Sequence, residues 1–431
     1  MRTGTIVELR RKTLPEWLIC LLVLLPFFLP TLNELLQIPR AVRYLTDVAW
    51  VLLVLLVLLE WQFRRRLHLT GQTKTLMIWA VAFLVCTGLI YLTRYQSALY
   101  YLWGVRNNFR FYAAFFAFAA FLTGEDAQEY LKLFDGLFWL NAAVSLVQFF
   151  GMGLKGDCLG GIFGAQKGVN GYTNLFFVII LTRSLVLYLE KKEKSGVFFA
   201  KFAAMLLIAA LAELKFFFIE ALVILVLAVL ITGLSWKKLW IMAGGIAAVF
   251  VGAVLLSYLF PVFQGWFSLE KILDITLSDR GYTSQGDLNR LNAITQINER
   301  WLTGIGTQLL GLGLGNCETA NFSFLNTPFF EEYGYLHYNW FSHMHMYLEC
   351  GWLGLVFTVG FFALIFLYAC RKRKSANDTV RIHSIMAMIL SVVCVGILIY
   401  NSSLRTEGGY MMYFMLALPF IHQDEDGVKS G

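Results

Sequence analysis

The chain has 431 residues, of which 58% are hydrophobic and 15% charged, with a formal net charge of +7. So apolar a composition at this length excludes a water-soluble globular protein and leaves an integral membrane protein. The excess positive charge sits in short clusters between apolar runs, which suits membrane insertion and anionic lipid and speaks against a nucleic-acid partner.

The basic N-terminus, Arg2 with Arg10, Arg11 and Lys12, leads into a long apolar run with no small-residue cleavage site, as an ordinary first transmembrane helix does. Further apolar runs follow, and the expected spans are 15–36, 47–63, 75–93, 110–123, 133–153, 172–189, 197–213, 216–233, 239–260, 341–370, 382–400 and 409–421. Most lie near the roughly 20 residues that cross about 30 Å of hydrocarbon, and they lack the alternation of a barrel strand. The expected fold class is therefore all-α, a polytopic membrane protein of about 12 helices. One large loop, Pro261 to Trp340, interrupts it between spans nine and ten, giving segments 1–260, 261–340 and 341–431. Lys191, Lys192 and Lys194, Lys237-Lys238, Arg64-Arg65-Arg66 and Arg371 to Lys374 fall in alternate connections, on the side of the basic N-terminus. The positive-inside rule then makes both termini cytoplasmic and turns the long loop outward, in the cytoplasmic membrane. No internal repeat is evident, which disfavours folds built from duplicated halves. The cysteines form no CxxC pair and no zinc spacing, so no structural metal is implied; Cys158 and Cys317 both fall in outer loops, and whether they pair stays open.

Several polar residues stand where an apolar chain has reason to keep them only for work. In the outer loop Asp287 is expected to cap a helix over Leu288 to Leu302 that ends at Gly304, with Leu291, Ile294, Ile297 and Trp301 as its apolar stripe. Arg290 borders that stripe and should point inward, whereas Arg300 should be solvated; a snorkelling interfacial arginine is the bland alternative for Arg290. The turn Glu213-Leu214-Lys215 joins two spans of which the first is short, so Lys215 is expected to be recessed from the surface, and Glu220 lies deeper in the next span. Arg106 and Arg110 are expected in the outer loop before span four, facing the same cavity or lipid headgroups. The run Leu310 to Asn316 is glycine-rich but lacks a phosphate-loop lysine, and reads as a tight turn back to the bundle. His343 and His345 stand where the long loop re-enters the bilayer; two residues apart on a helix, they point nearly opposite ways, so only one should line a site as a base. A third reading joins them with His337 and Glu331 or Glu332 as metal ligands, without a recognised ligand spacing.

Taken in order, Ile162-Phe163-Gly164, Asn170-Gly171-Tyr172, the basic residue between spans seven and eight, Asn289-Arg290-Leu291, the Gly311 to Gly315 run and Glu349-Cys350-Gly351-Trp352-Leu353-Gly354 resemble the O-antigen ligase and polymerase superfamily. The resemblance covers most of the chain in layout through individually weak motifs. It implies a metal-independent, cofactor-free, inverting glycosyltransferase on the outer face, acting on polyprenyl-diphosphate-linked oligosaccharide and a growing glycan acceptor, with a chain-length regulator as a conceivable partner. By position it gives Arg290 and Lys215 to the diphosphate and His343 or His345 to the acceptor hydroxyl; Arg106 and Arg110 are further diphosphate candidates, and Glu220 a candidate accessory acid, on their placement in the chain rather than on the resemblance. Lys215 departs from the arginine often found there, and Met344 and Met346 replace the usual asparagine beside the histidine. The rival expectation is a carrier or flippase for the same lipid-linked oligosaccharide, without covalent chemistry.

Overall fold

The computed structural model describes residues 12–35, 37–60, 62, 69–94, 96–259, 287–320 and 322–422. Arg2, Arg10, Arg11, the cluster at 64–66 and the loop segment 261–286 lie outside them. The first half of the chain forms α1 (Leu14–Leu35), α2 (Leu45–Leu59), α3 (Gly71–Arg94), α4 (Ala98–Phe121) and α5 (Gly124–Phe150). Next come α6 (Asn170–Leu189), α7 (Ser195–Leu211), α8 (Lys215–Thr232) and α9 (Trp236–Leu259). The loop contributes the short α10 (Ala293–Arg300), α11 (Ile305–Leu310) and α12 (Pro328–Tyr333), and the chain closes with α13 (Ser342–Lys372), α14 (Asp378–Tyr400) and α15 (Gly409–Ala417). No strand occurs among the described residues.

Nine of the described helices are long and apolar enough to cross a membrane, α1, α2 with the turn before it, α3, α5, α6, α8, α9, α13 and α14, while α7 and α15 are apolar but shorter. Their outer faces say which solvent they suit. On α3, Thr73, Leu76, Ala80, Phe83, Thr87 and Ile90 are buried, while Ile78, Val81, Val85, Leu89 and Leu92 form an equally apolar exposed face. Water would not tolerate such faces repeated on α2, α3 and α9; lipid does. The chain is an all-α polytopic membrane protein, with α6 and α14 buried nearly all round at its centre.

Two elements differ from expectation. Helix α4 begins at Ala98, so Arg106 and Arg110 lie within a helix rather than in a loop before it. Arg106, Asn107, Asn108 and Arg110 lower the hydropathy of that stretch, but their polar groups are met inside the protein, so the helix continues through them. In the long loop, the helix starts at Ala293 rather than Leu288, because the Leu288 N–H is bonded to the Leu336 carbonyl instead of entering a helical ladder. The residue at the N-cap is therefore Asn292 rather than Asp287, and Arg290 lies in the turn before α10; of the expected stripe, Ile297 is buried and Leu291 exposed.

Helix α13 is broken at Gly351, whose φ of 58° and ψ of −153° are non-helical. The Leu312 and Gly313 N–H groups donate to the Leu348 and Glu349 carbonyls, both at 2.8 Å, supplying donors where the break removes the helix's own. A Cβ on Gly351 would come within 2.3 Å of the Gln308 carbonyl oxygen, and one on Gly104 of α4 within 2.6 Å of Gly315, so glycine on both sides lets the turn thread between α4 and α13. The break isolates a short leading segment, Ser342 to Cys350, on which His345 and Glu349 share a face.

Candidate functional site

Two contiguous cavities open among the connections α1–α2, α5–α6, α7–α8 and α14–α15, the first half of α4, and the long loop before α13. These are alternate connections, which an up-and-down bundle brings to one end. The larger measures about 540 Å³ and the smaller about 370 Å³. Gly168, Tyr172, Ser402 and Thr406 line both.

Lys215 and Arg290, far apart in sequence, both line the smaller cavity. Lys215 begins α8 and Asn170 begins α6, so two helix N-termini open on the same space with the positive ends of their dipoles. The Lys215 ammonium lies 3.8 Å from Glu213, whose φ of 55° turns the chain between α7 and α8. Arg290 donates from Nε to the Tyr400 carbonyl at 3.1 Å, and its guanidinium sits 4.3 Å from the Tyr400 ring centre and 4.6 Å from that of Phe341. His343 lines neither cavity. Its Nε2 meets the Arg290 carbonyl at 2.8 Å and its Nδ1 the Leu398 carbonyl at 3.3 Å, so it brackets the Arg290 turn to α13 and α14.

The larger cavity is lined by cations whose partners are already present. Arg106 presents Nε and Nη2 to the two oxygens of Asp47 at 2.9 and 2.7 Å, and Nη1 to Asn107 at 2.6 Å. Arg110 and Arg43 both face Glu407 Oε1 at 3.5 Å, and Arg110 donates to the Arg405 carbonyl at 2.8 Å. Burial works against ionising Glu407, but Arg110 and Arg43 prevail and hold its carboxyl down at about 2. Tyr172 O–H donates to the same carboxylate at 2.9 Å. Arg106 and Arg110 thus serve first to knit α2, α4 and the α14–α15 connection together.

His345 lines this larger cavity and is almost fully buried. Its Nε2 lies 3.4 Å from Glu349 Oε1 and 3.8 Å from Glu318 Oε2, with no hydrogen bond of its own. Glu318 is also paired with Arg405. Burial pushes the Glu318 carboxyl up, and Arg405 and His345 only partly offset that. Glu349 Oε1 accepts the Cys317 N–H at 3.0 Å, and the Tyr338 ring stands edge-on to the imidazole, its hydroxyl donating to the Cys317 carbonyl at 2.8 Å.

Among the described residues, Glu318, His345 and Glu349 form the one group with a metal-binding arrangement, their ligand atoms all within 4.8 Å. Glu331 and Glu332 are exposed and His337 packs against Trp340, so the alternative ligand set is not assembled. Glu220 lies outside both cavities, buried, accepting a hydrogen bond from Asn174 at 2.9 Å. Arg183 of α6 pairs with Asp135, which Lys201 also binds at 2.7 Å. Cys158 and Cys317 are both free thiols.

Glu318, Arg405, Glu407, Arg43 and Asp47 were not singled out by sequence. The available signal was weak: each is a charge at the edge of an apolar run, the usual pattern of a headgroup anchor. Compared with models of known protein families, the chain matches none, and no curated protein matches it.

Proposed function

We propose that the chain is a polyprenyl-diphosphate-dependent glycosyltransferase that lengthens a glycan at the end of the bundle opposite its basic clusters, the outer face of the cytoplasmic membrane. In this reading α4, α7 and α15 join the nine long apolar helices to make twelve spans. The observation that carries it is that Lys215 and Arg290 line one cavity that runs into a second lined by His345.

The chemistry asks for those three features. The donor diphosphate lies in the smaller cavity between Lys215, Arg290 and the starts of α6 and α8. An acceptor hydroxyl in the larger cavity attacks the anomeric carbon from the opposite side. The C–O bond to the diphosphate breaks, its electron pair leaves with the phosphate, and the hydroxyl proton passes to His345. Negative charge grows on the leaving oxygen as that bond breaks, so fixed cations favour the transition state over the bound substrate. Each charge-assisted hydrogen bond supplies about 1.5–3 kcal/mol, and base assistance about 10²–10⁴-fold. Of the two candidate histidines, His345 is favoured as base because His343 has both ring nitrogens on backbone carbonyls.

The deciding experiment gives purified protein in detergent only lipid-linked oligosaccharide and follows chain length on a gel. Lengthening that is lost in His345→Ala supports the reading. In vesicles, translocation of the lipid without any lengthening would instead make the protein a carrier.

A further inference from the structure

His345 Nε2 is an almost fully buried ring nitrogen with no hydrogen bond, wedged between two carboxylate oxygens. The charges around it come from several elements: Glu349 on its own helix, Glu318 after the glycine turn, and Arg405 in the α14–α15 connection. The remaining neighbours, the Tyr338 ring and the Cys317 amide, carry no charge of their own. A lone pair on Nε2 would face the lone pairs of two carboxyl oxygens, one of them already accepting the Cys317 N–H and the other on the carboxyl paired with Arg405, and be repelled, whereas an N–H there would be attracted by both. The surroundings therefore select the tautomer with the proton on Nε2, and leave Nδ1 as the basic nitrogen.

The two carboxylates are not equivalent. Glu318 is shared with the Arg405 guanidinium, which divides its charge between two partners. Glu349 is held by the Cys317 N–H and sits at the break in α13, where the glycine turn fixes the backbone on either side of it. Its Oε1 is also the nearer, at 3.4 Å. A contact of that length, without substrate, closes to a hydrogen bond when the imidazole takes on charge.

We propose that Glu349 is the positioning residue of the transfer, fixing the tautomer and ring orientation of His345 so that Nδ1 receives the proton of the acceptor hydroxyl. Glu349 touches neither substrate. It acts through His345, stabilising the imidazolium that forms as the hydroxyl attacks. The kinetic part of this rests on the transferase reading above; the tautomer does not.

Two measurements on the full chain in detergent separate the two. Nitrogen-15 chemical shifts of the imidazoles, with His345 assigned by its loss in His345→Asn, report the tautomer without any turnover. The wild type is expected to hold the proton on Nε2, and Glu349→Gln to show a mixture. A wild-type His345 protonated on Nδ1 overturns the inference whatever the enzyme does. In the chain-lengthening assay, Glu349→Gln is expected to keep its KM for lipid-linked oligosaccharide and lose about 10²-fold or more in kcat. Unchanged kcat in a wild-type-active preparation overturns the positioning role alone. A wild type with the expected tautomer that lengthens nothing removes the transferase reading and the positioning role with it. Activity lost in a chelator and restored by Mn²⁺ also overturns the inference, since Nε2 would then be a metal ligand beside Glu318 and Glu349.

Discussion

At the scale of single residues, the arginine at 290 and the lysine at 215 are not interchangeable. The Arg290 guanidinium stands over two aromatic rings and uses Nε on a carbonyl, contacts that a planar fork makes and an ammonium does not. Arg290→Lys keeps the charge but loses the stacking and the fork, so transfer should fall about ten- to a hundredfold, the equivalent of one charge-assisted hydrogen bond. Lys215→Arg is expected to retain transfer, because Lys215 starts a helix at the cavity wall and a guanidinium there still meets a diphosphate. Rates of chain lengthening in the two variants check this, and equal rates for Arg290→Lys and wild type would remove Arg290 from the donor site. Arg290, Lys215 and the histidines stood out in the sequence because polar groups at the edge of lipid are conspicuous. Their partners did not: Arg290 meets Tyr400 across 110 residues and Arg405 meets Glu318 across 87, and neither separation leaves a local pattern.

At the scale of elements, most helices were readable because a long apolar run is an unambiguous signal in a chain of this kind. What was hidden was how they are interrupted. The first half of α4 is helical despite its arginines, since the decisive fact is where Asp47 and Glu407 stand, and both are remote in sequence. The break in α13 was equally invisible, because an isolated glycine in an apolar run says nothing about its φ. Its importance can be tested. Gly351→Ala places a side chain at a φ of 58° and a Cβ against the Gln308 carbonyl, so it should cost about 2 kcal/mol or more and lower the thermal midpoint in detergent. Gly136→Ala, mid-helix in α5 with open space around it, should leave the midpoint unchanged or raise it. If the two variants melt alike, the threaded turn does not hold α13 in its broken form, and His345 and Glu349 owe their shared face to something else.

At the scale of the whole molecule, the end of the bundle that carries the cavities is closed by charge rather than by apolar packing. Glu407 in the α14–α15 connection meets Arg43 before α2, Arg110 of α4 and the Tyr172 hydroxyl of α6, so one carboxylate ties together four parts of the chain that apolar contacts alone would leave free to slide. The sign of its pH dependence follows from its depressed pKa. An unfolded chain holds this carboxyl near 4.5 and the folded one at about 2, so the folded protein binds the proton more weakly. The stability it contributes is fully present above about 4.5 and is lost as the pH falls through about 2. Above about 4.5 it is worth on the order of 3 kcal/mol, and it declines progressively between those values. Glu318 runs the other way: its raised carboxyl gives stability that is complete below about 4.5 and lost as the pH rises through its folded value. The gap in thermal midpoint between wild type and Glu407→Gln should accordingly stay constant from pH 7 to pH 5 and narrow steadily below pH 4.5. A gap that instead widens with acid would mean that Arg43 and Arg110 do not hold Glu407 ionised, and the cavities would then need another closure.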